Sequence, residues 1–395
     1  MPWQELNVMN QKKEFVLKAF EKGVNFTQLC YDYSITTKTG YKWKERFLKE
    51  GLSGLNEKSR KPKRSPTQVS EDVICEIIKL KIKKLRWGSR KIHRIYRNHH
   101  EEDKECVSRT TVDRILKKAG FVITRRRRRK VNPERIQDRI APEQPNDVWT
   151  VDFKGWWYTP KKERCEPLTV RDEFSKFILS IKVLERGNIS SVKQEFELLF
   201  KKYGLPKVIR SDNGVPFASS QSTLGLTRLS AWWISLGIRL DRIDPGSPYQ
   251  NGGHERMHRD IKSELQGKID GSLKLHQHIF DEWRNEYNTE RPHEALGLKT
   301  PEEVYRKSER EYDGTSYELD YPSGYKSRRV NDRGWLNYKG KRIFISNAFC
   351  GYNVGMKPID NYHFAVWFNV MHIGEIDLKT NLFSSILSHN GSNTN

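Results

Sequence analysis

The sequence predicts a multidomain protein with two α-helical modules, a central α/β domain and a small C-terminal β domain. Apolar residues recur at helical spacing in two separate N-terminal stretches, and strands and helices alternate after Pro145. Strand-like alternation of apolar and polar residues returns after Gly334 and predicts a small antiparallel barrel or sandwich. With 395 residues, the chain is long enough for two to four domains, each with a buried core.

The first helical module lies in residues 11–50, where the apolar pattern and the Gly and Ser breaks predict three short helices. This pattern is typical of a helix-turn-helix, in which the last helix enters a DNA major groove. The alternative is a small helical bundle with a solvated basic face. In the helix-turn-helix interpretation, the candidate DNA-binding residues of the last helix are Lys38, Lys42 and Arg46.

A second helical module follows the basic segment KSRKPKRSP, residues 58–66, whose two prolines interrupt the helical pattern. Ser108 has the side chain of an N-cap for the last helix of this module, and Val112 lies on the inward face of that helix. Two such helices in series predict a protein that reads an extended DNA site in two places. The outward face of the second helix is formed by Arg109, Thr110, Arg114 and Lys117.

The charge of the chain indicates a polyanionic partner. Lys and Arg number 72 against 50 Asp and Glu, which gives a formal net charge of +22. The charge is spread over several regions and 11% of residues are aromatic, so nucleic acid is favoured over a membrane surface. The apolar stretch FILSIKVL, residues 177–184, contains a Lys and is too short to span a bilayer.

The densest cationic run is RRRRRK at residues 125–130. A solvated tether or a nuclear address signal is the alternative interpretation of such a run. Because it stands between the helical modules and the α/β domain, we expect it to follow DNA phosphates instead. Its candidate DNA-binding residues are Arg125, Arg126, Arg127, Arg128 and Arg129.

The five cysteines are scattered and form no CxxC pair, which indicates free thiols in a reducing compartment. The N-terminal residues lack the apolar core of a signal peptide, so we expect a protein that is not secreted. His93, His99, His100 and Cys106 do not match a common zinc pattern.

Three acidic residues stand where predicted elements begin or end. Asp152 lies in the strand VWTVDF, Asp212 ends the strand KVIRSD, and Glu255 opens a helix after QNGG. The alternative interpretation is that Asp212 has no catalytic role and only favours the turn at Asn-Gly. If the three carboxylates meet, divalent cations are the usual means of keeping them all ionised. Oxygen ligands favour two Mg²⁺ or Mn²⁺ ions, which can promote in-line phosphoryl displacement on DNA.

The helix after Glu255 places Arg259 and Lys262 on the same face as that carboxylate. We count both as candidate DNA-binding residues. The alternative is an ordinary surface pair between Glu255 and Arg259.

Four motifs in order resemble the catalytic core of bacterial insertion-sequence transposases of the DDE type, whose core is similar to that of retroviral integrases. They are WTVDFKG, VIRSDNGVPF, SPYQNGGHERMHRDIKSE and YNTERPHEALGLKTPEEVY, within residues 145–305. The resemblance implies an RNase H-like fold, Asp152, Asp212 and Glu255 as the catalytic, metal-binding triad, and Lys262 as a DNA contact near the cut site. The segment between Asp212 and Glu255 is longer than usual in that family. The N-terminal zinc module of retroviral integrases is not matched.

The resulting domain map runs from the N-terminus to the C-terminus. It assigns a first helix-turn-helix domain (1–57), a basic linker (58–66), a second helix-turn-helix domain (67–124), an Arg-rich linker (125–146), an RNase H-like core (147–310), a linker (311–333), a small β-barrel (334–386) and a disordered tail (387–395).

The expected function is that of a DNA transposase, active as a homo-oligomer on double-stranded element ends and target DNA in the bacterial cytoplasm. Two alternatives remain open at this point. One is an inactive or domesticated DNA-binding regulator, and the other is an RNase H-like nuclease without strand transfer.

Overall fold

A computed structural model describes residues 7–58, 68–100, 107–122, 140–219, 222–244, 251–265, 268–314 and 319–386. The chain divides into two compact units, residues 1–73 and 74–395. The Arg-rich run, most of the basic segment at 58–66 and the tail at 387–395 fall outside the described residues. Within the described ranges, no helix has the length and apolarity that a bilayer span requires.

The N-terminal unit contains the three helices that the sequence predicts. They are α1 (Val8–Lys18), α2 (Phe26–Asp32) and α3 (Thr37–Glu50), and the side chains of Asn7, Asn25 and Thr36 cap them. Phe15, Cys30 and Trp43 form part of the shared core. A β-carbon at Gly40 would lie 2.6 Å from the Sγ of Cys30, so the glycine lets α3 pack closely against α2.

The second helical module consists of α4 (Glu71–Lys83), α5 (Ser89–His99) and α6 (Arg109–Lys118). Ile77, Ile92 and Leu116 are fully buried. The Lys81 ammonium donates to the carbonyls of Leu85 (2.5 Å) and Trp87 (2.7 Å), which satisfies acceptors beyond the end of α4. The two predicted helical modules are therefore present as folded helices.

The central sheet has six strands, β1 (Val148–Phe153), β2 (Trp157–Tyr158), β3 (Arg164–Asp172), β4 (Ile178–Leu184), β5 (Val208–Ser211) and β6 (Arg239–Arg242). Strand β1 pairs with β3 antiparallel and with β5 parallel. Strand β4 extends the antiparallel part beyond β3, and β6 extends the parallel part beyond β5. This mixed sheet is the α/β core that the alternating pattern predicts.

Helices cover both faces of the central sheet. On one face, α7 (Ile189–Tyr203) and α8 (Arg228–Ser235) contribute Phe196, Phe200 and Trp233 to a core that includes Trp149 of β1. On the other, α9 (Gly252–Glu264) and α10 (Leu273–Thr289) bury Ile261 and Phe280 against β4. A short helix, α11 (Pro301–Val304), follows. Helix α10 is absent from the sequence-based prediction, which assigns no element to that segment.

The second helical module packs on α10 of the core. The Lys84 ammonium lies 2.5 Å from a carboxylate oxygen of Glu286 and 3.2 Å from one of Glu290. The Lys84 side chain is only 12% exposed, whereas those of Glu286 and Glu290 are 38% and 54% exposed, so a largely buried lysine meets two partly exposed carboxylates. At the start of α5, Arg90 forms an exposed ion pair with Glu294 at 3.0 Å.

The C-terminal part contains strands β7 (Lys326–Arg329), β8 (Trp335–Tyr338), β9 (Lys341–Phe344), β10 (Asn353–Pro358), β11 (His363–Phe368), β12 (Met371–Asp377) and β13 (Leu382–Ser385). Five of them form an antiparallel sheet in the order β13, β12, β11, β10, β7. Strands β8 and β9 form a separate hairpin. Strand β7 lies inside the segment 311–333 that the sequence suggests as a linker.

The predicted small β-barrel is wrong, because no sheet closes on itself among the described residues. Alternation of apolar and polar residues predicts a sheet with one apolar face. That face can be buried by closing the sheet into a barrel or by packing it against other elements. Here that side packs on the hairpin and on Leu226, Ala231 and Ile234 from the core. The open edge strand β7 is fully exposed and carries three cationic residues, which disfavour edge pairing with another sheet.

The long segment after Asp212 explains how the C-terminal sheet is held. It contains a 3-10 turn (Thr223–Gly225) and helix α8, within the segment that is longer than usual for the family that the motifs resemble. The Thr223 hydroxyl donates to the Ile345 carbonyl at 3.1 Å, and the Asn369 amide donates to the Ile234 carbonyl at 2.8 Å. The extra residues thus provide the surface on which the C-terminal sheet packs.

Replacing Phe200 with alanine should lower the free energy of unfolding by about 3 to 5 kcal/mol, since the ring is fully buried between sheet and helices. Leu198 on the same helix is 61% exposed, so Leu198→Ala should change it by less than about 0.5 kcal/mol. Urea denaturation followed by tryptophan fluorescence measures both. Equal losses would contradict the packing of α7 described above.

Candidate active site

Asp152 and Asp212 lie side by side because of the register of two parallel strands. Val148 pairs with Val208 and Thr150 pairs with Arg210, so two further residues along each strand bring the chain to Asp152 and Asp212. Neighbouring strands are about 4.8 Å apart, and alternate residues of a strand share a face. The two carboxylates therefore stand at the same level on one face of the sheet.

The Asn-Gly turn after β5 holds the Asp212 carboxylate. Its Oδ1 accepts a hydrogen bond from the Gly214 backbone N–H at 3.1 Å, and the Asn213 side chain donates to the Ile243 carbonyl at 2.6 Å. A β-carbon at Gly214 would lie 3.1 Å from Oδ2 of Asp212, so the glycine leaves room for that oxygen. The turn orients the carboxylate at the tip of the strand.

Glu255 approaches this pair from the first turn of α9, where its side chain is exposed. The buried Met257 and Ile261 anchor that helix against the sheet. Burial, the neighbouring Asp212 and, more weakly, Glu255 raise the pKa of Asp152 to about 7. Like charges have this effect only at short range, so the three carboxylates share one neighbourhood.

His258 is a site residue that the sequence analysis did not select. The Thr169 hydroxyl donates its proton to the Asp152 carbonyl (2.9 Å), so it accepts a hydrogen bond from Nε2–H of His258 (2.8 Å). Nδ1 of His258 then faces the Asp152 carboxylate at 3.9 Å. Burial and the charges of Lys154 and Arg171 lower the pKa of His258 to about 3, so the ring is neutral. The sequence signal that could have identified His258 is its position three residues after Glu255, because residues at this spacing are neighbours on a helix.

Cations border the carboxylates. Burial and the nearby Lys262 lower the pKa of the half-buried Lys154, while Asp152 opposes this effect. Lys262 and Arg259 are both exposed on α9, after Glu255. The structure therefore places the predicted line of cations on the accessible surface beside the acidic residues.

The donor set suits a divalent cation in its chemistry. Asp152, Asp212 and Glu255 offer hard carboxylate oxygens, and the pKa of Asp152 is raised first by burial and then by repulsion from Asp212, which a bound cation would relieve. Across the described ranges, however, no three acidic, histidine or cysteine side chains converge closely enough to hold an ion. The carboxylates are neighbours, but they do not form a closed cage.

The predicted DNA-binding residues of α3 differ in their accessibility. Lys38 and Lys42 are exposed. The guanidinium of Arg46 lies 5.2 Å from the centroid of the Trp43 ring and is partly buried, which gives it a packing role as well.

The basic face of α6 is accessible. Ser108 caps this helix by accepting from the Thr111 N–H at 3.2 Å, while Val112 and Leu116 are buried. The exposed residues include every candidate on this helix: Arg109, Thr110, Arg114 and Lys117. The candidates Arg125 to Arg129 lie outside the part of the chain that the structure describes.

Family models match four parts of the chain. Two models described as "Integrase core domain" match residues 142–248 and 236–301. A "Homeodomain-like domain" model matches residues 39–116, which run from α3 into α6. The model "IS481 family transposase, C-terminal domain" matches residues 325–383, which include the C-terminal strands.

Related proteins come from bacterial insertion elements. A 31.7 kDa protein of insertion element IS407 from Burkholderia multivorans is 27% identical over 246 residues, 61% of this chain and 83% of that protein. The transposase of IS904 from Lactococcus lactis is 28% identical over 178 residues, 43% of this chain and 66% of that protein. The HTLV-2 integrase catalytic core, solved in complex with magnesium, is 19% identical, with a TM-score of 0.33 over 42% of this chain and all of that one.

Replacing Thr169 with valine should lower the free energy of unfolding by about 1 to 3 kcal/mol, since it leaves the buried Nε2–H of His258 without its acceptor. Thr380→Val is a matched control, because that hydroxyl bonds Asp377 in an exposed turn and its loss should cost less than about 0.5 kcal/mol. Chemical denaturation of both variants measures the difference. An unchanged Thr169→Val protein would contradict the hydrogen-bond chain from His258 to Asp152.

Proposed function

We propose that this chain, which belongs to the insertion-sequence transposases with a DDE-type integrase core, cuts the ends of its own element and joins them to target DNA. Membership of that family agrees with the resemblance seen in the sequence motifs. The mechanism is supported mainly by the parallel register of strands β1 and β5, which places Asp152 and Asp212 at the same height on one sheet face. Glu255 lies beside them.

Asp152, Asp212 and Glu255 would hold divalent cations, Mg²⁺ or Mn²⁺, in a site of two ions. When bound, the ions supply positive charge that activates the attacking oxygen and stabilises the leaving oxygen of a phosphodiester. The carboxylates would fix the position of the ions on one face of the sheet. Lys154 and Lys262 lie close to each other beside that position. His258, held neutral by Thr169, adds no further charge next to Asp152.

Two successive displacements at phosphorus would follow. Water attacks a phosphodiester at the element end, a P–O bond breaks, and a free 3′-OH is released. That 3′-OH then attacks a phosphodiester of the target, forming one P–O bond as another breaks. Lys262 and Arg259, exposed along α9, would bind the DNA backbone next to the reacting phosphate.

The two alternatives are separable by their products. A DNA-binding regulator without activity would leave element-end DNA uncut in the presence of Mg²⁺. A nuclease without strand transfer would yield cut ends and no joined products. The proposed transposase yields both cut ends and ends joined to target DNA.

The active form is proposed to be a homo-oligomer on DNA. One triad acts on one phosphodiester at a time, whereas joining an element to a target requires two ends held together. At least two copies of the chain are therefore needed.

Asp152→Asn, Asp212→Asn and Glu255→Gln should each reduce cleavage and joining by more than about 100-fold, because each removes a carboxylate from the proposed metal site. Binding of element-end DNA should change little, and chelation by EDTA should reproduce the loss in the unaltered protein. Glu185→Gln makes the same chemical change at an exposed position and should leave activity intact. Substantial Mg²⁺-dependent cleavage by a triad variant would remove that residue from the site.

Changing Arg109 or Arg114 to alanine should weaken binding to element-end DNA more than binding to random DNA, because α6 presents both residues on its exposed face. Neutralising two or three of Arg125 to Arg129 should weaken both alike, with the slope of log affinity against log salt falling by about 0.9 for each lost phosphate contact. Gel-shift titrations at several salt concentrations compare the two sets. Equal losses on both DNAs for the α6 variants would show that α6 does not read sequence.

Mixing two inactive proteins tests the oligomer. One carries Asp212→Asn, and the other carries Arg109→Ala with Arg114→Ala. If one subunit grips the DNA end that another subunit cuts, the mixture should regain joined products. Mixed assemblies that form on DNA and remain inactive would show that each subunit cuts the end it binds.

A further inference from the structure

A second charged cavity lies away from the carboxylates. It has a volume of about 590 Å³ and is lined by α5, by β3, by the N-terminal turns of α9 and by the segment after α10. Gly253, Arg256 and Asp260 of α9 face it, whereas Glu255, Arg259 and Lys262 lie on another face of the same helix. One helix thus separates the candidate active site from this cavity.

Cations outnumber acids in the lining. The acidic residues are Glu173, Asp260 and Glu294. Burial and the charges of Lys91 and Arg291 lower the pKa of His293 to about 3, so this lining residue contributes no charge. The basic lining residues are Lys91, Arg171, Lys176, Arg256 and Arg291.

Two buried arginines in the lining retain unused donors. Arg171 is 3% exposed and pairs with Glu173, but its Nε–H finds no acceptor among the described residues. Arg291 is 7% exposed and donates to Asp260 at 2.6 Å, and its Nε–H is also unsatisfied there. A buried N–H without a partner costs about 1 to 3 kcal/mol, so each arginine is held in the cavity wall with its hydrogen bonding incomplete.

Lys91 adds a cation that has no ion-pair partner among the described residues. Within the described ranges, its ammonium makes no hydrogen bond or ion pair. Burial and the nearby Arg291 lower its pKa to about 8, although Asp260 and Glu294 partly offset them. An anion in the cavity would stabilise the charged form of this lysine.

The N-terminus of α9 opens into the same space. Gly252 and Gly253 begin this 13-residue helix, whose first N–H groups have no partner within the helix. A β-carbon at Gly253 would lie 1.9 Å from Nη2 of Arg171, so only glycine lets that guanidinium approach the helix end. The helix terminus therefore lies next to the Arg171 guanidinium in the cavity wall, and Arg291 lines the same cavity.

We propose that this cavity binds one phosphate group of the DNA backbone. A phosphate offers several acceptor oxygens and a negative charge, which match the lining cations Lys91, Arg256, Arg171 and Arg291 and the helix N-terminus. Most lining side chains are charged or polar, and Tyr287 and Ala295 are the exceptions among the lining residues, so the lining suits an anion better than a nucleobase. Anion binding rests on the geometry alone, and the choice of DNA as its source rests on the proposed function.

The site would connect DNA binding to catalysis. Lys91 belongs to the second helical module, whereas Arg171, Arg291 and α9 belong to the catalytic core. A backbone phosphate held between them would set the position of the DNA relative to the helix that carries Glu255.

Inorganic phosphate is the first probe, titrated into the full-length protein at constant ionic strength and followed by ³¹P NMR line broadening. Lys91→Gln and Arg256→Gln should each weaken phosphate binding by roughly tenfold, as expected for loss of a charged hydrogen-bond donor. Neither residue has an ion-pair partner within the described ranges, so neither variant strands a buried carboxylate. Arg97→Gln is the matched control, because Arg97 is exposed on the same helix as Lys91 but does not line the cavity.

Random-sequence duplex DNA is the second probe. If Lys91 and Arg256 contact the same phosphate, the effects of the two changes should not add, and the double variant should lower the slope of log affinity against log salt by at most about 0.9, the value for one phosphate contact. Phosphate binding that is equal in the variants and the unaltered protein overturns the site. Weakened phosphate binding with an unchanged DNA slope overturns the DNA assignment and shows a site for free phosphate. Cleavage is not measured in either experiment, so a failure of the proposed function remains distinguishable.

Discussion

The parallel pairing of β1 with β5 is the constraint on which the candidate active site depends. It brings together two carboxylates that are 60 positions apart in the sequence and sets them at the same level of one sheet face. Backbone hydrogen bonds of the ladder fix this placement, and they are unaffected by the repulsion between the two side chains. A shift of one residue in this register would turn one carboxylate to the opposite face, into the core that contains Trp149.

The surroundings of Asp152 and Asp212 neutralise the negative charge of the pair only in part. Burial and the neighbouring carboxylates raise the pKa of Asp152 to about 7, which indicates an acidic centre that lacks sufficient positive charge. Lys154 and Lys262 lie close by, but the neutral His258 contributes none. A cation bound in the proposed metal site would relieve the repulsion between the carboxylates. Its binding would therefore stabilise the folded protein.

Local sequence patterns were sufficient for much of the fold. The three helices of each N-terminal module and most strands of the core follow from apolar spacing, caps and turn residues. The acidic residues could be selected because each stands at an element boundary. Helix α10 was missed, since its apolar residues serve a buried face that only the completed sheet creates. The position of His258 beside Asp152 and the common cavity of Arg171 and Arg291 depend on the packing of distant segments, which spacing does not reveal. The barrel prediction failed because the alternation of apolar and polar residues shows that one face of the sheet is buried but does not show which elements bury it.

Anomalous diffraction from crystals of the full-length protein grown with Mn²⁺ tests the central claim most directly. The account predicts two Mn²⁺ peaks roughly 3.5 to 4 Å apart, bounded by the carboxylates of Asp152, Asp212 and Glu255. It also predicts that Asp212→Asn crystals grown in the same way lose at least one of them. Manganese bound elsewhere, with these carboxylates free of metal in a protein that still cuts DNA, would contradict the account.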